Sequence, residues 1–127
     1  LQPEMGAWLF GCDDCQDVCP YNRTQRTSVS GVAALPRRDE FAPRERWAEL
    51  GAEDFLAMDD ACFDRYSRGS ALRRAGRESM ARNAAIVLGN SRDKRYLPVL
   101  GRAAQTDASP VVRAAAQLAA ARLREVP

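Results

Sequence analysis

Apolar positions in the second half of the chain recur at helical spacing. Between Glu78 and Leu88, residues Met80, Ala84, Val87 and Leu88 fall at i, i+4, i+7 and i+8, and Gly89 reads as the residue that closes the helix. Asp93 is placed to cap a helix through Arg102, with Tyr96, Leu97 and Leu100 inward and Pro98 bending it. Ser109 followed by Pro110 marks another helix start, and Val111, Ala115, Leu118 and Leu123 supply its apolar positions. Upstream, Pro43 opens a helix with Trp47 and Leu50 on one face and Gly51 as its stop. A short helix fits residues 53–58 around Phe55 and Leu56. Another fits 60–66, where Phe63 and Tyr66 are three apart and acidic residues suit the positive end of the helix dipole. Gly69 and Ser70 break the pattern. No run of β-branched residues alternates anywhere, so the pattern predicts an all-α fold.

The helical part also resembles itself. A shift of 31 residues lays Arg82, Ala84, Ala85 and Val87 onto Arg113, Ala115, Ala116 and Leu118. A period near 30 residues, with small residues at the contacts, is the signature of stacked helical pairs in an α-α superhelix. Residues 1–23, rich in Gly, Pro and Cys, lack such periodicity and read as a loop-rich segment organised by a ligand. Residues 24–42 read as a linker, and 43–127 as the helical repeat domain.

Composition removes several classes of function. No stretch of about 18 apolar residues is present to cross a membrane, and the start lacks the basic and apolar regions of a secretory signal. The expected compartment is the cytoplasm. With no histidine among 127 residues, imidazole acid–base catalysis and histidine-ligated metals are excluded within this stretch. The sequence begins at Leu1 rather than Met, with a cysteine cluster almost at once, and we expect a piece of a longer polypeptide. The net charge of +2 conceals segregation. Residues 39–64 carry nine acids and two bases, whereas 65–95 carry nine bases and two acids. The basic block suits an anionic polymer, although solvated acidic and basic faces that meet each other would explain it equally.

The sharpest chemical feature is Cys12-Asp13-Asp14-Cys15-Gln16-Asp17-Val18-Cys19-Pro20, a C-x2-C-x3-C-P spacing. Three thiols on one short loop call for a soft, multivalent partner. A structural zinc normally takes a second C-x2-C pair, which is missing, and a disulfide framework needs an oxidising compartment that nothing else indicates. The Cys-Pro ending favours ferredoxin-type clusters, in which the cysteine before proline serves a different cluster from its neighbours. Iron–sulfur, zinc and disulfide readings stay open at this point. Two cubanes need eight ligands and the motif offers three, so the other five must lie elsewhere. Cys62, alone in a helical pattern, reads as a buried core thiol.

The stretch Met5–Asn22, with Gly69–Arg77 and Arg82–Asn90, closely resembles the tRNA epoxyqueuosine reductase family over most of residues 5–90. The resemblance implies a C-terminal portion of such an enzyme: the second half of a module with two 4Fe–4S clusters, followed by a HEAT-like helical domain. It implies that Cys12 and Cys15 ligate the second cluster, that Cys19 ligates the first, and that Asp13 lies close to a cobalamin. The family reduces the epoxide of epoxyqueuosine at the wobble position of tRNA to give queuosine, with electrons from an external donor passing through the clusters to the corrin. The cobalamin domain and its general acid are not in this chain, so it is expected to be inactive alone, and no residue here is expected to be catalytic.

With that resemblance, the basic block gains a partner. Ser70, Arg73, Arg74, Arg77, Arg82 and Asn83 are the expected contacts to a tRNA anticodon stem-loop, since guanidinium groups suit phosphates and stack on unpaired bases. For Asn83, a helix-packing amide is the competing role. No membrane partner is expected, and the protein is expected to be a monomer. A ferredoxin-type electron carrier fused to a protein-docking repeat is the alternative, and a zinc-binding helical adaptor a third.

Overall fold

Gly, Pro, Asp and Ser punctuate short helices along this chain, and a computed structural model shows where each sign was obeyed. It describes residues 3–12, 14–20 and 49–127. Those residues fall into two compact units, one of residues 3–10 with 49–127, the other of 11–12 and 14–20. Residues 3–10 therefore belong with the helices, and the cysteine-bearing unit begins at Gly11. Most of the helix expected from Pro43, with Trp47, and the linker at 24–42 lie outside the described residues.

The cysteine unit holds one helical turn, α1 (Asp14–Asp17), closed by Val18 N donating to Asp14 O at 3.1 Å. In the other unit a 3-10 turn (Pro3–Met5) precedes α2 (Ala52–Ala57), α3 (Asp60–Ser67), α4 (Gly76–Asn90), α5 (Leu97–Thr106) and α6 (Pro110–Glu125). Among the described residues there is no strand, and no helix is long and apolar enough to cross a membrane.

Local chemistry explains most boundaries. Asp54 Oδ2 accepts from Gly51 N at 2.7 Å at the start of α2, and Asp59 Oδ1 accepts from Cys62 N at 2.7 Å at the start of α3. Ser109 Oγ accepts from Val111 N and Val112 N ahead of α6, and it donates to Glu78 Oε2 at 2.6 Å. Gly69 and Gly76, with φ of 71° and 75°, bracket a 3-10 turn (Ala71–Arg74). A side chain is disfavoured at both, so the segment between them is set by backbone.

Three expectations are corrected. Gly89 does not stop α4, which continues to Asn90; it is buried, and a Cβ there would stand 2.7 Å from Ala119 Cβ and 2.9 Å from Ala119 Cα. Its role is to let α4 and α6 approach. Pro98 does not bend a helix that Asp93 starts. Asp93 caps a separate 3-10 turn (Lys94–Tyr96), and Pro98 sits in the first turn of α5, where its missing N–H interrupts nothing. In α6, Val111 and Leu118 are exposed at 43% and 56%, while Val112, Ala115, Ala116, Ala119, Ala120 and Leu123 are buried. Close approach to α4 selected the alanine face over the bulkier one.

The core follows from that approach. Met80, Ala81, Ala84, Ala85 and Leu88 of α4 are buried, as are Phe55 and Leu56 of α2 and Leu100 of α5. α4 packs most extensively on α6, then α5 on α6 and α2 on α4. The helices thus form layered pairs, and Ala84 with Ala115 and Ala85 with Ala116, related by the 31-residue shift, are all buried.

Candidate functional site

The cysteine segment presents its sulfurs openly. Gly11, with φ 68°, turns the chain into it. Cys12 and Cys15 are exposed, Cys19 is half-buried, and all are free thiols. No three ligating side chains among the described residues converge on one point. The donors therefore fit a thiophilic iron–sulfur group in kind, and three of them fall short of one cubane in number. Asp13 lies outside the described residues. Cys62, on α3, is half-buried rather than deep in the core, with Arg65 Nη2 3.6 Å from its sulfur.

The basic segment between the left-handed glycines is split by its contacts. Ser70 Oγ donates to Ser67 O at 2.9 Å, so its hydroxyl closes the end of α3. Arg73 reaches Asp64 at 3.3 Å, with both side chains more than half exposed. A solvated pair of this kind contributes little and exchanges readily for another anion. Arg74 is exposed, and its guanidinium makes no ion pair or hydrogen bond with any described residue. Both arginines sit on the one-turn 3-10 segment.

Arg77 has a different task. Its Nη1 donates to Asp107 Oδ1 at 2.7 Å, its Nη2 to Asp107 Oδ2 at 2.5 Å, and its Nε to Met58 O at 2.8 Å. The two side chains are only 12% and 3% exposed. The hydrogen bonds from Arg77, aided by Ser109 N, hold the Asp107 carboxyl below its ordinary range against the opposing effect of burial. The same pairing raises Arg77. Each of its three nitrogens donates within the fold.

Arg82 and Asn83 are joined to each other and to the start of the chain. Arg82 Nε and Nη2 donate to Asn83 Oδ1 at 3.1 and 2.8 Å, and Asn83 Nδ2 donates to Leu9 O at 3.0 Å. The packing-amide role thus accounts for Asn83. The structure leaves Arg73 and Arg74 as the predicted RNA contacts whose guanidinium groups face solvent.

No family model matches the chain. It is 44% identical over 102 residues to a Pseudomonas aeruginosa epoxyqueuosine reductase, covering 79% of this chain and 25% of that one. The Gloeobacter violaceus epoxyqueuosine reductase is 40% identical over 87 residues, covering 68% and 26% respectively. That of Alicycliphilus denitrificans is 39% identical over 122 residues, covering 89% and 31%. A crystal structure of epoxyqueuosine reductase with an epoxyqueuosine-modified tRNA-Tyr stem loop superposes with a TM-score of 0.76 at 26% identity, over 96% of this chain and 30% of that one. The chain belongs to the epoxyqueuosine reductase family. It spans less than a third of the length of these relatives, and little of it lies outside the fold shared with the solved epoxyqueuosine reductase.

Within this epoxyqueuosine reductase portion, three polar residues escaped the sequence reading. Asp107 pairs with Arg77, Asn90 donates to Gly6 O at 3.0 Å, and Arg122 Nη1 donates to Asn90 Oδ1 at 2.7 Å. The seven-residue spacing of Asn83 and Asn90, which puts both on one helix face, was the available signal. For Asp107, whose partner is 30 residues away, the sequence carries no comparable sign.

Proposed function

We propose that this chain is the cluster-ligating and tRNA-gripping portion of an enzyme that reduces the epoxide of epoxyqueuosine in tRNA to queuosine. The observation that carries the reading is the conjunction of C-x2-C-x3-C-P with a fold matching an epoxyqueuosine reductase solved with a modified tRNA stem loop. Removing the epoxide oxygen as water consumes two electrons and two protons, so the reaction needs an electron path and an external donor. Cys12 and Cys15 hold one 4Fe–4S cluster and Cys19 another, completed by ligands from outside this chain, and Asp13 borders a cobalamin. When bound, these groups supply the electron transfer that opens the epoxide carbon–oxygen bond. In the complete protein, Cys12→Ala and Cys19→Ala should each remove a different paramagnetic signal after reduction. Loss of the same signal in both variants would contradict the split assignment.

The chain's own work on RNA falls to the helical unit. Arg73 and Arg74 meet phosphates of the anticodon stem-loop, while Ser70 closes the turn that presents them and Arg77 anchors it. Exchange of the solvated Asp64 partner for a phosphate costs Arg73 little. Arg73→Ala with Arg74→Ala should reduce the slope of log K against log salt for stem-loop binding by about two, with iron content unchanged. An unchanged slope, or loss of iron in parallel with binding, would make these arginines structural.

A further inference from the structure

Asn83 and Asn90 stand seven residues apart on α4, a rise of about 10.5 Å along one face. Asn83 Nδ2 donates to Leu9 O and Asn90 Nδ2 to Gly6 O, each at 3.0 Å. The N-terminal segment therefore runs antiparallel to α4, with Gly6 toward the helix end and Leu9 further back. Each amide oxygen also takes a guanidinium: Arg82 on Asn83, and Arg122 at 2.7 Å on Asn90. A neutral amide can accept from an arginine and donate to a carbonyl at once, which a carboxylate cannot. The Arg122 rung depends on the close passage of α6 over Gly89. Gly6, at φ 58°, supplies a backbone turn that side chains would resist.

We infer that Asn83 and Asn90 form a two-point clasp that fixes the point from which the cysteine segment leaves the helical unit, three residues before Cys12. The inference rests on the proposed cluster-ligand role of that segment. Both asparagines are positioning residues: they hold the backbone that leads to a ligand. Irregular backbone with carbonyls held this way loses conformational freedom before a cluster assembles, so less must be lost at assembly.

The test uses the complete protein with Asn83→Asp, Asn90→Asp and the pair together. Aspartate keeps the oxygen for arginine and removes the N–H that grips Gly6 or Leu9. Hydrogen exchange over residues 6–10 should quicken about fivefold for either single variant and about thirtyfold for the pair, the loss expected for one and two hydrogen bonds. Protection in α5 and α6 should be unchanged, and iron should pass to a chelator faster in the same order of variants. Unchanged exchange at residues 6–10 in the double variant overturns the clasp. Loss of protection throughout α5 and α6 also overturns it, by showing a general packing role. Quickened exchange with unchanged iron loss overturns the positioning role alone. Absence of iron from the unsubstituted protein overturns the cluster reading and with it the positioning role, while exchange still reports on the clasp itself.

Discussion

Asp107→Ala is expected to destabilise the helical unit by about 3–4 kcal/mol, because it strands the Arg77 guanidinium in a site that is nearly closed to water. Arg77 spans the Asp107 loop and the Met58 carbonyl, so one side chain ties the approach to α6 to the end of α2. For a domain of this size the loss corresponds to a fall in melting temperature on the order of 15–25 °C. Replacing both partners, as Arg77→Met with Asp107→Leu, should cost much less than Asp107→Ala, since no charge is then left unpaired. A change below about 1 kcal/mol for Asp107→Ala would place the pair with solvated surface pairs instead. The pH dependence has a fixed sign. The Asp107 carboxyl titrates lower in the folded chain than in the unfolded one, so its contribution is complete above about pH 4. It is lost as pH falls below that, through the folded value. Arg77, already cationic at every pH where the protein is handled, adds no transition of its own. Asp107→Ala should therefore abolish part of the acid sensitivity seen in thermal unfolding as pH falls below about 4.

Gly89→Val should rank with it, at about 3 kcal/mol, through overpacking where α4 crosses α6. Two effects oppose each other in the milder Gly89→Ala. Alanine gains about 1 kcal/mol of helix propensity over glycine. Its Cβ must also displace Ala119, whose Cα lies 2.9 Å away, and backbone yields less readily than a side-chain tip. The clash wins, and a net loss of about 1–2 kcal/mol is expected. Ala119→Gly in the same chain should restore only part of it, because the 2.7 Å contact disappears while the contact to Cα remains. Equal or higher stability for Gly89→Ala in chemical denaturation would contradict the close crossing. Separation of the two helices would also draw Arg122 from Asn90, so these variants should quicken exchange over residues 6–10.

Signals of local chemistry were legible in the sequence. Ser109-Pro110 marks a helix start because an N-cap needs an oxygen that accepts backbone N–H groups, which restricts the residue type there. The C-x2-C-x3-C-P spacing is the sequence signal on which the proposed soft-ligand chemistry rests. What depends on a distant partner was hidden. Gly89 near a helix end looks the same whether it stops the helix or admits Ala119, and the difference is made 30 residues downstream. The inward face of α6 could not be told from Val111 and Leu118, since a close crossing prefers the alanines between them. Arg77 and Arg74 are alike as residues, yet Asp107 and Met58 internalise the first and leave the second to solvent. For Asn83 the bond to Leu9 O, 74 residues earlier, left no sign in the local motif.

The central claim is that this chain serves the reduction of epoxyqueuosine in tRNA, and conversion measures it most directly. The complete protein, loaded anaerobically with iron, sulfide and cobalamin and supplied with a strong reductant, is incubated with tRNA carrying epoxyqueuosine, and the nucleosides are weighed after digestion. The expected result is loss of one oxygen atom from the modified nucleoside, abolished by Cys12→Ala and slowed at low tRNA concentration by the Arg73→Ala, Arg74→Ala pair. Retention of the epoxide by a protein shown to hold both clusters and the corrin would contradict the account.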